Sequence, residues 1–297
     1  MREDDGTMET QDRRVEFDFE VDFSNGGGIQ GQGFRLDIDG DDIEDADLAA
    51  YVVRDMRLLM VGEVRILNRR IIREPHKRTW ASGPTRIDLS HVVEDGMVTY
   101  KGLPAPVVCD FLSREASRAH YAPGTEFQIG TVQLCSNTGT YVDSPFHRYA
   151  DGADLSGLPL DRLADLDAVV VDAPGQAVDR AALEPYRVAG RAVLVRTGWD
   201  RHWRTDAYFE GNPFLTEDAA AHLVEQRALL VGIDSLNIDD TASRERPVHS
   251  TLLAAGIPIC EHLTNLAALP TEGVRFSAVP VMMKGMGTFP VRSYAVV

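Results

Sequence analysis

Apolar and polar residues alternate sharply near the start of the chain: Val15, Phe17, Phe19, Val21 and Phe23 are separated by Glu16, Asp18, Glu20 and Asp22. A period of two predicts a strand with one buried face and one solvated, acidic face. The turn Asn25-Gly26-Gly27-Gly28 leads to a second alternating run, Phe34, Leu36 and Ile38, so the two read as a β-hairpin or neighbouring antiparallel strands. Over residues 41–59 the period changes. Leu48, Tyr51, Val52, Met56 and Leu59 follow helical spacing, and acids crowd the start, where they complement the helix dipole. Residues 64–67 and 70–72 are again strand-like. The polar lead, about the first 14 residues, has no period and is expected to be disordered.

The pattern breaks at residues 74–84, a polar stretch interrupted by Pro75, Gly83 and Pro84. A domain boundary is expected there, with residues 1–83 forming a small, β-rich N-terminal extension and 84–297 a second domain. In that second part, continuous β-branched runs at 168–172, 192–196 and 229–234 predict buried strands. A helix is expected over 216–224, with Thr216 as its N-cap. Strands alternating with helices indicate an α/β layer arrangement.

Composition narrows the class. The chain has 297 residues, 44% hydrophobic and 26% charged, enough for an ample core. It holds no apolar run of the ~18 residues that would cross a bilayer. An acidic start unlike a signal peptide, with three widely spaced cysteines, makes a reduced, cytoplasmic protein the expectation. With 46 acidic against 30 basic residues and a net charge of −16, nucleic acid and anionic membranes are excluded as main partners. A small-molecule substrate is left.

Two motifs dissolve on inspection. Gly26-x-Gly28-x-x-Gly31 matches a dinucleotide fingerprint by letter, but a strand follows it rather than a helix, so it reads as a hairpin turn. Asp37-Ile38-Asp39-Gly40-Asp41-Asp42 hints at a calcium loop, yet its glycine comes too early and Leu48 stands where a bidentate acid belongs. It reads as a turn into the acidic helix start.

The run Asn137-Thr138-Gly139-Thr140-Tyr141-Val142-Asp143-Ser144-Pro145-Phe146-His147 is different in kind. It resembles the signature of the kynurenine formamidase-like cyclase family, H-x-G-T-H-x-D-x-P-x-H, with Asn137 and Tyr141 in place of the two leading histidines. Further stretches resemble the same family in order: Asp88-Leu89-Ser90-His91 with Gly96-Met97, Val195-Arg196-Thr197-Gly198-Trp199, Gly232-Ile233-Asp234-Ser235, His249 with Leu252-Leu253, the segment 256–266 around Glu261, and Pro290-Val291-Arg292 as a closing strand. The resemblance spans roughly residues 84–297. It implies a swivelling β/β/α domain, a homo-oligomer (dimer or tetramer), and hydrolysis of amides or lactones with zinc or manganese. Carried over residue by residue, one metal set is reduced to Asp143. The other, Asp143, His249 and Glu261, is intact.

Three readings stand side by side. In the first, one divalent ion (zinc or manganese) sits on Asp143, His249 and Glu261, and His147 moves protons. In the second, no metal binds, and His147, Tyr141 and Glu261 form an acid–base site for elimination, isomerisation or cyclisation, with the Tyr141 phenol donating to a developing oxyanion. In the third, the chain is a non-catalytic binding protein. The favoured reading is an enzyme, a hydrolase or lyase acting on an amide, lactone or cyclic imide. Of the other histidines, His91 and His262 are candidates to line the pocket, while His76, His120, His202 and His222 are expected as surface or partly buried residues. Cys135 and Cys260 are expected as structural thiols in strand-like runs. Trp199, Trp203, Tyr208 and Phe209 are expected in core packing or as a pocket wall.

Overall fold

The computed structural model describes residues 13–38, 40, 42–73 and 84–297. The chain divides into two compact units, Met1–Gly83 and Pro84–Val297. Among the described residues, no helix is long and apolar enough to cross a membrane.

In the first unit, strands β1 (Arg13–Phe23), β2 (Gly28–Asp37) and β3 (Val61–Arg73) form an antiparallel sheet of order β2-β1-β3, and helix α1 (Asp45–Asp55) lies between β2 and β3 in sequence. Val15, Phe17, Phe19 and Val21 are buried and pack with Leu36, Leu48 and Val52. Gly31 lies against Phe19: a Cβ there would come within 2.4 Å of the ring, so the glycine serves packing rather than a nucleotide. The opposite face of β1 is not simply solvated acid. Glu16 accepts from Arg35 at 2.8 Å and from Arg70, Asp18 from Asn68 and Gly33 at 2.7 Å, and Arg65 lies 3.0 and 3.1 Å from Glu20 and Asp22.

Several expected bounds shift. Helix α1 is shorter than 41–59, and Met56 and Leu59 are exposed, because the chain turns out of the helix after Asp55. The strand-like segment 64–72 is longer than expected, running over Val61–Arg73. The expected disorder of the lead falls largely outside the described residues, although Arg13 and Arg14 belong to β1. Most of the break at 74–84, with His76, lies outside them too.

The second unit carries β4 (Arg86–Asp88), β5 (Val107–Leu112), β6 (Ile129–Gln133), β7 (Tyr141–Asp143), β8 (Leu166–Asp172), β9 (Ala177–Val178), β10 (Ala192–Arg196), β11 (Phe214–Leu215), β12 (Leu230–Ile233), β13 (Ile259–Glu261), β14 (Val274–Ser277), β15 (Thr288–Pro290) and β16 (Tyr294–Val296). Helices α2 (Arg114–Ser117), α3 (Arg180–Leu183), α4 (Glu217–Glu225) and α5 (Pro247–Ala254) complete it. Nine strands make one mixed sheet, β15-β7-β13-β12-β10-β8-β14-β16-β4. Its centre, β8-β10-β12-β13, is parallel and its flanks are antiparallel.

Both faces of the centre are covered, which is why the sequence shows unbroken apolar runs there. Val169, Val171, Val193, Val195 and Ile233 pack with Leu183, Leu223 and Leu252 from the helices. Ala168, Val170, Leu194 and Cys260 pack on the other side with Leu263, Leu266 and Phe276. Thr216 occupies the N-cap position of α4, but its hydroxyl donates to the Asp218 carboxylate, with the Val178 carbonyl 3.2 Å away, instead of capping the helix. His222, expected as a surface or partly buried residue, is buried on α4. The β5–β6 ribbon is the opposite case: Val107, Phe111, Ile129 and Val132 on it are exposed.

Candidate active site

Three short strands build the site. In β7, Tyr141 and Asp143 share one face, while Val142 between them points into the core. Register then does the rest: Asp143 pairs with Ile259 on β13 and Thr288 on β15, and Tyr141 pairs with Glu261 and Pro290. Thr288, Asp143, Tyr141 and Glu261 thus meet at adjacent positions of one sheet edge, all almost wholly inaccessible to solvent. His249 comes from the first turn of α5, and His147 from the short helical turn Pro145–His147 that follows β7.

Each imidazole is oriented by a partner. Asp239 accepts from the backbone N–H of Val248 at 2.8 Å and of His249 at 3.0 Å, caring for donors that the start of α5 would otherwise leave open. The same carboxylate accepts from His249 Nδ1 at 2.6 Å. That bond fixes the tautomer and turns Nε2 inward, where it lies 3.7 Å from Asp143 Oδ2 and 3.8 Å from Glu261 Oε1. For His147 the orienting group is Thr288. Its hydroxyl has one proton and donates it to Asp143 Oδ1, so His147 Nδ1, 2.8 Å away, must donate to the Thr288 oxygen. The lone pair of His147 is therefore on Nε2. Gly287 allows this approach: a Cβ there would lie 2.5 Å from the His147 backbone nitrogen and Cα.

Asp143 Oδ2 is buried with no hydrogen-bond partner. Two carboxylate oxygens and the inward nitrogen of His249 converge on one small volume, and such a convergence is stable only around a cation. In the protein alone that cation is a proton. Burial opposes charge on His249, but the Asp143 carboxylate 3.7 Å away and the hydrogen bond to Asp239 prevail and raise its pKa to about 10. Burial also acts to raise Asp143, yet His249 and His147 outweigh it and hold the carboxyl below its usual range. Glu261 is pushed up by burial to about 7, opposed by the charge of His249. Tyr141 donates its hydroxyl to Glu261 Oε2 at 2.6 Å, and Ile238 N–H donates to Oε1 at 2.6 Å. Burial keeps the Tyr141 phenol well above its ordinary pKa, so it remains a neutral donor.

The same geometry fits a metal. Ligand atoms of Asp143, His147 and His249 lie within 4.8 Å of one another. Glu261 adjoins this group through His249, so Asp143 and His249 are common to either three-residue set. Imidazole and carboxylate donors of this kind suit zinc or manganese, and an imidazole backed by a carboxylate is a usual outer-layer arrangement of metal ligands.

A cavity of about 300 Å³ opens onto the group. Asn137, Tyr141, His147, His249 and Glu261 line it, joined by Tyr100, Leu103, Arg148, Asn237 and Arg246. His91 and His262 do not line it. They stand behind Tyr141 in an aromatic layer: His91 stacks on Trp203 at 3.8 Å, and His262 Nδ1 meets Tyr208 Oη at 2.8 Å. Trp199, Trp203, Tyr208 and Phe209 do not line it either, although Phe209 borders a separate cavity beside Arg204 and Asp206. Cys260 is buried in β13, whereas Cys135 is only partly buried and follows β6 rather than lying in a strand.

Asp239, Thr288 and Gly287 were not foreseen from sequence. Asp239 had a local signal, an acid ten residues before His249 and just ahead of a Pro-initiated helix. Thr288 and Gly287 had none, because only strand pairing across the sheet brings them to Asp143 and His147.

Comparison with known proteins agrees with this architecture. Residues 87–240 match the cyclase family, described as "Putative cyclase". The kynurenine formamidase of Bacillus cereus is 26% identical over 216 residues, covering 70% of this chain and 95% of that protein. A solved structure described as a potential metal-dependent hydrolase with cyclase activity superposes with a TM-score of 0.59 at 24% identity, over 71% of this chain and 97% of the other. Isatin hydrolase A from Labrenzia aggregata gives a TM-score of 0.61 at 20% identity, over 74% and 96%. At these identities the two structures speak to the mixed α/β fold. The family match spans more than half of the chain, and the chain belongs to the cyclase family.

Proposed function

We propose that this protein hydrolyses an amide or lactone bond of a small carbonyl compound, using one divalent ion, zinc or manganese, held by Asp143, His249 and Glu261. The observation that carries this reading is the unpartnered, buried Asp143 Oδ2 beside His249 Nε2, which Asp239 has turned inward. The named relatives, kynurenine formamidase and isatin hydrolase, are a formamidase and a hydrolase by name, which supports the reaction class. A divalent ion bound there supplies a Lewis acid that polarises a carbonyl and eases the ionisation of water.

The chain's own residues do the remainder. His147, with its lone pair on Nε2 at the cavity, accepts a proton from the attacking water and returns it to the leaving nitrogen or oxygen. Thr288 and Asp143 hold the other side of that ring, so the imidazolium formed on the way is stabilised by a carboxylate one hydroxyl away. Tyr141 occupies one oxygen of Glu261 and leaves the other facing His249. His147 also stands close enough to join the ligands, in which case Glu261 takes over proton transfer.

The Tyr141–Glu261 hydrogen bond favours a second reading, acid–base chemistry without a metal, in which the neutral phenol and the raised carboxyl act together. Elemental analysis of protein purified without chelator separates the two. The expected outcome is a stoichiometric divalent ion, lost together with hydrolysis of aryl formamides in Asp143→Asn and His249→Ala. Full activity in the presence of chelator, with no ion bound, sinks the metal reading in favour of the acid–base one.

A further inference from the structure

The cavity is polar in an uneven way. At its inner end stand His147, His249 and Glu261. It is also lined by two arginines, Arg148 and Arg246, and among the described residues neither guanidinium forms an ion pair with a carboxylate. Arg246 is partly buried, and its Nη1 is held by backbone carbonyls alone, those of Ser243 at 2.5 Å, Glu245 at 2.8 Å and Asp240 at 3.3 Å. Arg148 donates from Nε to Ser250 Oγ at 3.2 Å, and its guanidinium lies 5.2 Å from the centre of the Tyr149 ring. The Tyr149 hydroxyl is itself tied to the Ser250 carbonyl at 2.9 Å, so Arg148 is braced from two sides with its terminal nitrogens unspent.

This is an unusual disposition in a chain of net charge −16. Acid outnumbers base, and other arginines of this domain, among them Arg180, Arg191, Arg196 and Arg275, are paired with carboxylates at the surface. Two guanidiniums gathered at one cavity without an acid between them leave a positive field that a ligand can complete. Resting on the hydrolase reading of the same site, we propose that the substrate carries an anionic group, a carboxylate in the first instance, apart from the carbonyl that reacts, and that Arg148 and Arg246 receive it while the carbonyl lies at His147 and His249. Asn237, whose side-chain oxygen is taken by the Asp239 N–H at 3.0 Å, presents its amide nitrogen to the same cavity as a further donor.

Binding and turnover test this separately. By calorimetry on the metal-replete protein, benzoate should bind about tenfold more tightly than the neutral, isosteric benzamide, since a charged acceptor strengthens each hydrogen bond it receives. The preference should shrink in Arg148→Gln, an exposed position, and vanish in the Arg148→Gln/Arg246→Gln pair, with circular dichroism checking that each variant keeps the fold. In turnover, Arg148→Gln should raise KM for 2-formamidobenzoate about tenfold more than it raises KM for the methyl ester, with the change in KM rather than in kcat. No preference for benzoate in the wild type, or one that survives in the double variant, overturns the proposal and places anion recognition elsewhere, on the metal for instance. A fall in kcat for the neutral ester overturns it too, because the arginines would then serve the reacting carbonyl. If the wild type hydrolyses neither formamide, the formamidase form of the hydrolase reading fails, and the calorimetry still decides whether the cavity selects anions.

Discussion

The two units of this chain hold acidic residues in opposite ways. On β1 of the first unit, Glu16, Asp18, Glu20 and Asp22 line an accessible face and are answered by Arg35, Arg70, Asn68 and Arg65. In the second unit Asp143, Asp239 and Glu261 are almost completely buried around one histidine. The first arrangement neutralises charge where water already screens it, so each pair is energetically slight and any member is replaceable. The second removes charge from water and tolerates it only because a cation stands at the centre. The lesson is that the same residue type is decoration in one unit and a constraint in the other, and that burial draws the line.

The largest effect is expected from removing that central cation. In His249→Ala, Asp143 and Glu261 would face each other unpaired, at a cost of about 3–5 kcal/mol in urea unfolding of the chelator-treated protein. A loss below 1 kcal/mol would show that water or rearrangement already shields these acids, and the contrast between the units would fail.

Acid should separate the units next. His91 is lowered to about 4 by burial, only partly offset by Asp200, and His262 to about 3, again chiefly by burial. Unfolded histidines titrate near 6.5. Because the folded pKa values are depressed, the unfolded chain takes up protons first. The stability owed to these neutral histidines is therefore fully present above about pH 6.5 and lost as the pH falls towards 4 and 3. Tryptophan fluorescence of a Trp80→Phe background, which reports on Trp199 and Trp203, should show this acid loss, and His91→Phe should make it shallower while keeping the ring stack on Trp203. An unchanged acid limb in that variant would assign the loss to carboxylates instead.

Salt gives the smallest effect. At 1 M the screening length is about 3 Å, so the β1 ladder should weaken while the buried acids feel little. Hydrogen exchange at the amides of β1, β2 and β3 should quicken in 1 M NaCl, with those of β7 and β13 unchanged. Equal responses in both sheets would erase the distinction.

How much of this was readable in advance follows the same physics. Period-two alternation revealed β1, and continuous apolar runs revealed β8, β10 and β12, because in both cases the pattern is set by which faces meet the core. The signature around Asp143 and His147, with the distal His249 and Glu261, disclosed the family and the residues that the fold brings together. The arginine ladder stayed hidden, since Arg35, Arg65 and Arg70 lie on other strands and only register places them opposite β1. His222 was misjudged because a histidine on an alanine-rich helix face gives no local sign of its depth. Thr288 escaped for the same reason as the ladder: its role comes from a pairing over 145 residues of chain.

That pairing has a consequence for how the protein comes into being. Contacts so distant in sequence form only after a long loop has closed, which makes them late events in folding. Asp143 and His147 leave the ribosome well before the hydroxyl that orients the His147 ring and the glycine that makes room for it, which belong to β15 and the residue before it, with Thr288 141 residues beyond His147. A chain that has not yet reached β15 therefore carries the recognisable signature without a working constellation, and the chemistry switches on only when β13 and β15 are laid against β7.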